Sequence, residues 1–337
     1  LARKYLVTGG TGFIGSALVR RLLNDDYTVR VLDDNSRGAL RRLTDIAGAF
    51  EFIEADVRDF SAVTGAAEGM DGIIHLSAVN GTEFFYTNPE LVLDVGVRGM
   101  LSVVDACRAN GIDDLVFASS SEVYQVPPVV PTDETVPLSV PDVTNARYSY
   151  GGSKIISELI ALNYGMNGFE RVTIFRPHNV YGPDMGWEHV LPQFALRAAA
   201  AVKETPSGPV PFRIQGDGSQ TRAFVHINDF IDGLIKVIEA GGHREIYNIG
   251  NSDEVAIAEI ARLVVAHFGR EADLSTSPEP SGATPRRCPD ISKLMALGYA
   301  PRLSLTDGLP SLIEWYRENS HLKPASNQKL TGSRPLI

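Results

Sequence analysis

The segment TGGTGFIG, residues 8–15, follows the apolar run KYLV and opens the amphipathic stretch FIGSALVRRLLN. It satisfies Gly10-x-Gly12-x-x-Gly15 and also Gly9-x-x-Gly12-x-x-Gly15. A glycine pattern alone says little. At a junction between an apolar strand and a helix it has a mechanism: glycines let the backbone turn tightly and approach a pyrophosphate seated on the helix N-terminus. The segment therefore predicts the first βαβ unit of a nucleotide-binding parallel sheet.

The rest of the first half continues that rhythm. YTVRVLDD, FEFIEAD, GIIHLSA, DDLVFASSS and RVTIFRP read as short strands, with helical patterns over residues 88–109 and 147–166. Strands apolar on both faces and separated by helices predict an α/β fold, a doubly wound parallel sheet of the Rossmann type. Beyond residue 177 the rhythm breaks, and PSGPVPF and SPEPSGATP read as proline- and glycine-rich loops around short elements. The expected division is a mainly NAD-binding unit over residues 1–177 and a smaller α+β substrate-binding cap over 178–320, with the chain crossing back to the sheet. Residues 321–337, polar and aperiodic, read as a mobile tail.

Composition excludes several alternatives. A formal net charge of −10 argues against a nucleic-acid binder, and no apolar run approaches the roughly 20 residues needed to span a bilayer. Only Cys107 and Cys288 are present, too few for a disulfide framework or a multi-cysteine metal site, so no metal is expected. A strand pattern from residue 3 leaves no secretory signal in view, and a cytoplasmic location is expected.

Asp33 ends the second strand, 18 residues after Gly15, where a carboxylate can bridge the ribose hydroxyls of NAD. Asp34 and Asn35 follow it, so no adjacent arginine is ready for the 2′-phosphate of NADP; Arg37 is the nearby exception. Asp56 is either an adenine contact or an ordinary loop carboxylate.

Together TGGTGFIG, HLSA (75–78), SSSEVY (119–124), YSYGGSK (148–154), RPHNVYGP (176–183) and QTRAFVHINDF (220–230) resemble the extended short-chain dehydrogenase/reductases that modify nucleotide sugars, over residues 3–318. The resemblance implies a catalytic set of Ser120, Tyr150 and Lys154. It implies NAD contacts from Gly9, Gly12, Phe13, Ile14, Gly15, Asp33, Asp56, Val57, Leu76, Ala78, Tyr150 and Lys154. For a nucleotide-diphosphate sugar it implies Ser121, Asn179, Arg222 and Arg287. It also implies a homodimer that packs the helices at 88–109 and 147–166.

Physical chemistry supports the redox assignment. Residues i and i+4 share a helix face, so Lys154 can stand beside Tyr150. A phenol with a pKa of about 10 is a poor base near neutrality, and a neighbouring cation would lower it. Tyr150 would then accept a sugar hydroxyl proton as hydride passes to NAD, with Ser120 orienting the hydroxyl.

Two positions depart from the family pattern: Gly96 stands where asparagine is usual, and Gln125 where glycine is usual. Oxidation at C4 acidifies the C5 hydrogen, so a nearby base decides the outcome. Glu122 is the candidate, and a helix-capping carboxylate is the alternative reading. Ser121 in place of a usual aspartate counts against dehydration; Asp184 in place of an arginine counts against a uronate. Glu188 and His189 offer a second acid–base position, whereas His75, His178 and His226 read as structural. For Arg287 a salt bridge with Asp290 is the alternative. The expected function is a nucleotide-sugar epimerase working through a transient 4-keto intermediate. Decarboxylation, 4,6-dehydration and a catalytically silent NAD-binding protein are the alternatives.

Overall fold

A computed structural model describes residues 2–278 and 284–324. The first half runs β1 (Lys4–Thr8), α1 (Phe13–Asn24), β2 (Thr28–Asp33), β3 (Glu51–Glu54), α2 (Phe60–Ala67), β4 (Gly72–His75), α3 (Thr82–Thr87), α4 (Pro89–Asn110), β5 (Asp114–Ala118), α5 (Ser149–Tyr164) and β6 (Arg171–Pro177). Then follow β7 (Val180–Tyr181), α6 (Val190–Glu204), β8 (Val210–Gln215), β9 (Thr221–Ala223), β10 (Val225–His226), α7 (Ile227–Ala240) and β11 (Glu245–Ile249). The last elements are β12 (Glu254–Ala256), α8 (Ile257–Ala266), β13 (Ala272–Ser277), β14 (Arg286–Arg287), α9 (Ser292–Met295) and α10 (Leu305–Glu318).

Seven strands form one parallel sheet in the order β11-β6-β5-β4-β1-β2-β3. Side chains alternate between faces, as the two-residue period of a strand requires. Val7 and Val31 meet Leu18 and Leu22 of α1 and Phe230 and Leu234 of α7. Leu6, Ile73 and Leu115 on the other face meet Val103 and Val104 of α4 and Ala161 of α5. Asp59 caps α2 by accepting from Ser61 and Ala62 N–H, and Gly111, at φ 66°, ends α4 in the left-handed conformation that glycine adopts readily. The chain winds outward from β1 to β3, then returns to place β4 on the other side of β1. The crevice beyond the carboxyl ends of β1 and β4 is thus the topological switch point, where ligands of such sheets bind.

From beyond residue 177, α7, α9 and β11 belong to the layers of the large sheet, Leu294 of α9 packing in the same core as Leu234 of α7. A second core forms where Phe194 of α6, Phe212 of β8, Val264 of α8 and Leu312 of α10 pack together. One local expectation is overturned there. PSGPVPF is not wholly loop, because its last residues start β8. Pro211 is tolerated because β8 pairs only with β13, so an edge without ladder partners accepts the missing N–H. Residues 279–283 of SPEPSGATP and 325–337 of the expected tail lie outside the described residues.

Candidate active site

A cavity of about 840 Å³ opens at the switch point between the sheet loops and the second core. A smaller one, of about 110 Å³, shares Gly9, Gly12, Leu76 and Ala78 with it and is also lined by Asp33, Asp56 and Val57. Phe13, Ile14, Gly15, Ser120, Ser121, Glu122, Tyr150, Lys154, Asn179, Arg222 and Arg287 line the larger. Every site residue expected from the sequence therefore lies on one or both walls.

At the nucleotide end, Gly9 has φ 74°, and a Cβ on Gly15 would stand 2.1 Å from the Gly9 carbonyl oxygen. Only glycine permits this cradle. Gly12 caps α1 with no side-chain acceptor, and the first turn carries no acidic residue, so its N–H groups are offered to an anion. Asp33 is buried at the end of β2, accepting from the N–H of Thr11 at 3.0 Å and Asn35 at 2.9 Å; burial outweighs these bonds and holds its pKa above the ordinary carboxylate value. Arg37 reaches across to the Asn80 carbonyl at 2.8 Å, pairs with Glu188 and lies 4.2 Å over the Phe84 ring. The first guanidinium after Asp33 in the chain is thus engaged by an acid. Asp56 is gripped by Arg58 Nε at 3.0 Å, and Arg58 also holds Asp94 at 2.7 Å. The glycine cradle, the uncapped helix and Asp33 fit a dinucleotide whose ribose is not phosphorylated.

At the reacting end, Tyr150 sits in the first turn of α5, stacked on Phe85 with ring centroids 5.0 Å apart. Burial holds its phenol well above the ordinary tyrosine value; the nearby Ser120 hydroxyl acts downward, and the Glu122 charge adds a smaller upward push. Lys154 shares the helix face, but its ammonium donates to the Ala118 carbonyl at 2.7 Å and lies 5.8 Å from the Tyr150 ring centroid. The lowering of the Tyr150 pKa expected from Lys154 is outweighed here: the long lysine stem carries its charge to the end of β5, and burial holds the phenol above its ordinary value. Burial brings the Lys154 pKa down to about 7, opposed by the charge of Glu158.

Ser120 also caps the turn that follows, accepting from Glu122 N–H at 3.1 Å. Arg287 does not pair with Asp290, which instead accepts from Ser292 N–H. It binds the Glu122 carboxylate at 2.6 Å. Burial alone would raise the Glu122 pKa; Arg287 first, then Arg147 at 4.0 Å and Arg222, more than offset it and hold the group below the ordinary value. Arg147, three residues before Tyr150, was not marked by any sequence motif. Neither were Phe194, Arg197 and Gln215, cavity walls supplied by α6 and β8. Asn179, at φ 40°, donates to the Ala223 carbonyl at 3.0 Å.

The histidines divide clearly. His189 lines the larger cavity beside Glu188, whereas His75, His178 and His226 line neither cavity. His75 is bonded to Thr8, His178 to Asn248, and His226 accepts from Asn228 N–H at the start of α7. Both departures from the family pattern have local causes or consequences. A Cβ on Gly96 would lie 2.8 Å from Ser153, so glycine brings α4 against α5 beside Lys154. Gln125 adopts φ 53°, a left-handed conformation that explains why glycine is usual there. Among the described residues no cluster of His, Cys, Asp and Glu could hold a metal ion, and no helix is long and apolar enough to cross a membrane.

A doubly wound sheet with a glycine cradle at its switch point is the dinucleotide-binding architecture of the extended short-chain class. The chain belongs to the NAD-dependent epimerase/dehydratase family, whose model matches residues 5–250. It is 30% identical to a dTDP-4-dehydro-6-deoxy-D-allose reductase of Streptomyces bikiniensis, covering 94% of this chain and 97% of the relative. A UDP-glucose 4-epimerase of Mycolicibacterium smegmatis is 30% identical, covering 94% and 99%. A UDP-N-acetyl-alpha-D-glucosaminuronate decarboxylase of Bacillus cytotoxicus is 28% identical, covering 94% and 99%. The crystal structure of a dTDP-glucose 4,6-dehydratase from Streptomyces venezuelae with NAD bound superposes with a TM-score of 0.83 at 29% identity, covering 95% and 98%. The protein is an enzyme of this family, and its cofactor is NAD.

Proposed function

We propose that the protein is a nucleotide-sugar epimerase acting through transient oxidation at sugar C4. The observation that carries this is the convergence of Ser120, Tyr150 and Lys154 on one cavity, between the glycine cradle and the wall formed by Asn179, Arg222 and Arg287. Tyr150 takes the proton of the C4 hydroxyl, and Ser120 orients that hydroxyl and then the ketone oxygen. Lys154 supplies a positive charge that stabilises the phenolate through the dry pocket. The cradle of Gly9, Gly12 and Gly15 with Asp33 would hold NAD, which would supply reversible hydride acceptance. Arg222 and Arg287 suit the diphosphate because their planar forks bind phosphate oxygens in pairs. Glu122, kept ionised by its arginines, is placed to take the C5 proton once the ketone has acidified it.

A second reading is decarboxylation of a uronate, favoured by the two guanidiniums of Arg147 and Arg287 beside Glu122, which could hold a sugar carboxylate. Mass spectrometry of purified protein with NAD and a panel of nucleotide sugars in deuterated water separates the readings. An isomer carrying solvent deuterium supports epimerisation beyond C4, an unlabelled isomer supports C4 inversion, and loss of carbon dioxide supports the second reading. A silent panel would sink both and favour the catalytically silent NAD-binding protein.

We also divide the chain by role, residues 1–177 mainly holding NAD and 178–320 mainly holding the nucleotide sugar, and place the enzyme in the cytoplasm. A homodimer follows from α4 and α5, which pack together yet leave Leu93, Ile156 and Leu159 exposed at 40%, 42% and 57%. A monomeric mass in solution would count against it.

A further inference from the structure

Behind the wall that carries Ser120, Ser121 and Glu122 lies a buried ion pair that the redox step does not use directly. Glu158 stands one turn beyond Lys154 on α5, and Arg176 lies on β6; they are 3% and 2% exposed. Arg176 Nε and Nη2 reach the two carboxylate oxygens at 2.8 and 2.7 Å. Each partner then grips one end of the same short turn. The Ser119 hydroxyl donates to Glu158, while Arg176 Nη1 donates to the Tyr124 hydroxyl at 2.6 Å. Tyr124 in turn donates to Asn248 at 2.9 Å. Ser119 and Tyr124 bracket the residues that present Ser120 and Glu122 to the cavity.

Burying an ion pair is expensive, and packing alone would be served as well by apolar side chains of similar volume. A bidentate pair adds direction, because its planar geometry fixes where the remaining donors and acceptors point. We propose that Glu158 and Arg176 are positioning residues that clamp both ends of the 119–124 turn and so hold Ser120 in the cavity wall it shares with Tyr150. This rests on Ser120 and Tyr150 being the redox pair. Glu158 also touches that centre electrostatically, since its charge favours the protonated form of Lys154. Ser120, Glu122 and Lys154 are the polar and charged groups around Tyr150, and Phe85 covers its ring. A change confined to Ser119 and Tyr124 therefore reaches the phenol through the turn.

The double variant S119A/Y124F severs both grips and leaves the ion pair intact. The NAD-loaded protein, labelled with tyrosine carrying carbon-13 at Cζ, is titrated from pH 6 to 11, with Y150F assigning the Tyr150 resonance. The clamp predicts that the Tyr150 midpoint rises by at least half a pH unit while NAD affinity stays within twofold. An unchanged midpoint in the folded variant overturns it. Should S119A/Y124F not fold, the single variants S119A and Y124F serve instead: a rise in either supports the clamp and no change in both overturns it. Failure of wild-type protein to convert any nucleotide sugar would instead remove the redox reading, so the two failures are distinguishable.

Discussion

Glu122 and Arg287, 165 positions apart in the chain, meet at 2.6 Å inside the cavity that also holds Tyr150. The pair joins the turn after β5 to the strand β14 of the second core, so the reacting wall is made by both halves of the chain. A carboxylate held ionised there is ready as a base but not as an acid.

Removing the arginine should move the acid limb of catalysis. Arg287 is the largest of the influences that lower the Glu122 pKa, so in R287Q that pKa rises and the carboxylate protonates at higher pH. The acid limb of the kcat profile should shift upward by about one unit. A pH–rate series from pH 4 to 8 checks this, and an unmoved limb would detach Glu122 from the rate-determining chemistry.

Glu122→Gln separates hydride transfer from later proton transfer. NADH formation in a single turnover should remain within about tenfold of wild type, whereas deuterium uptake from solvent should fall by about 10²-fold or more. Equal loss of both would show that Glu122 serves the oxidation itself.

Tyr150→Phe should lower kcat by about 10²–10⁴-fold, the usual contribution of a positioned acid–base group, with NAD affinity little changed. Calorimetric titration with NAD beside steady-state rates gives both quantities.

Lys154 makes stability depend on pH. Its folded pKa is depressed to about 7 by burial, so between that pH and the ordinary lysine value of roughly 10.4 the unfolded chain holds a proton that the folded protein lacks. Stability contributed by this group therefore rises with pH across that window. In K154M the slope should disappear and the melting temperature near pH 7 should rise. Thermal unfolding at pH 6, 8 and 10 for both proteins tests the sign.

Gly96→Asn, which installs the residue usual in the family, should destabilise by about 1–3 kcal/mol because its Cβ would meet Ser153 at 2.8 Å. Urea unfolding reads the loss directly; a neutral effect would mean that α4 and α5 separate easily.

The nucleotide end was the most legible part of the sequence because its physics is local. Gly9, Gly12 and Gly15 act within one strand–turn–helix unit, and Asp33 is placed by the length of the next one. Tyr150 and Lys154 were also legible as one face of α5. The Lys154–Ala118 contact was not, since it depends on how α5 lies against β5. Arg147 carried no motif, and the choice of Glu122 over Asp290 by Arg287 is a matter of tertiary distance. The start of β8 was hidden by Pro211, which a core strand would reject and a two-stranded edge accepts.

β11 belongs to the large sheet, yet it is made only after β7, α6, β8, β9, β10 and α7 have been synthesised. Until residues 245–249 emerge from the ribosome, β6 presents a long open edge of unpaired backbone groups, the kind of edge that invites pairing with another chain. The large sheet is therefore completed only by a late strand, and a fragment ending near residue 177 is expected to expose the β6 edge that β11 covers in this enzyme.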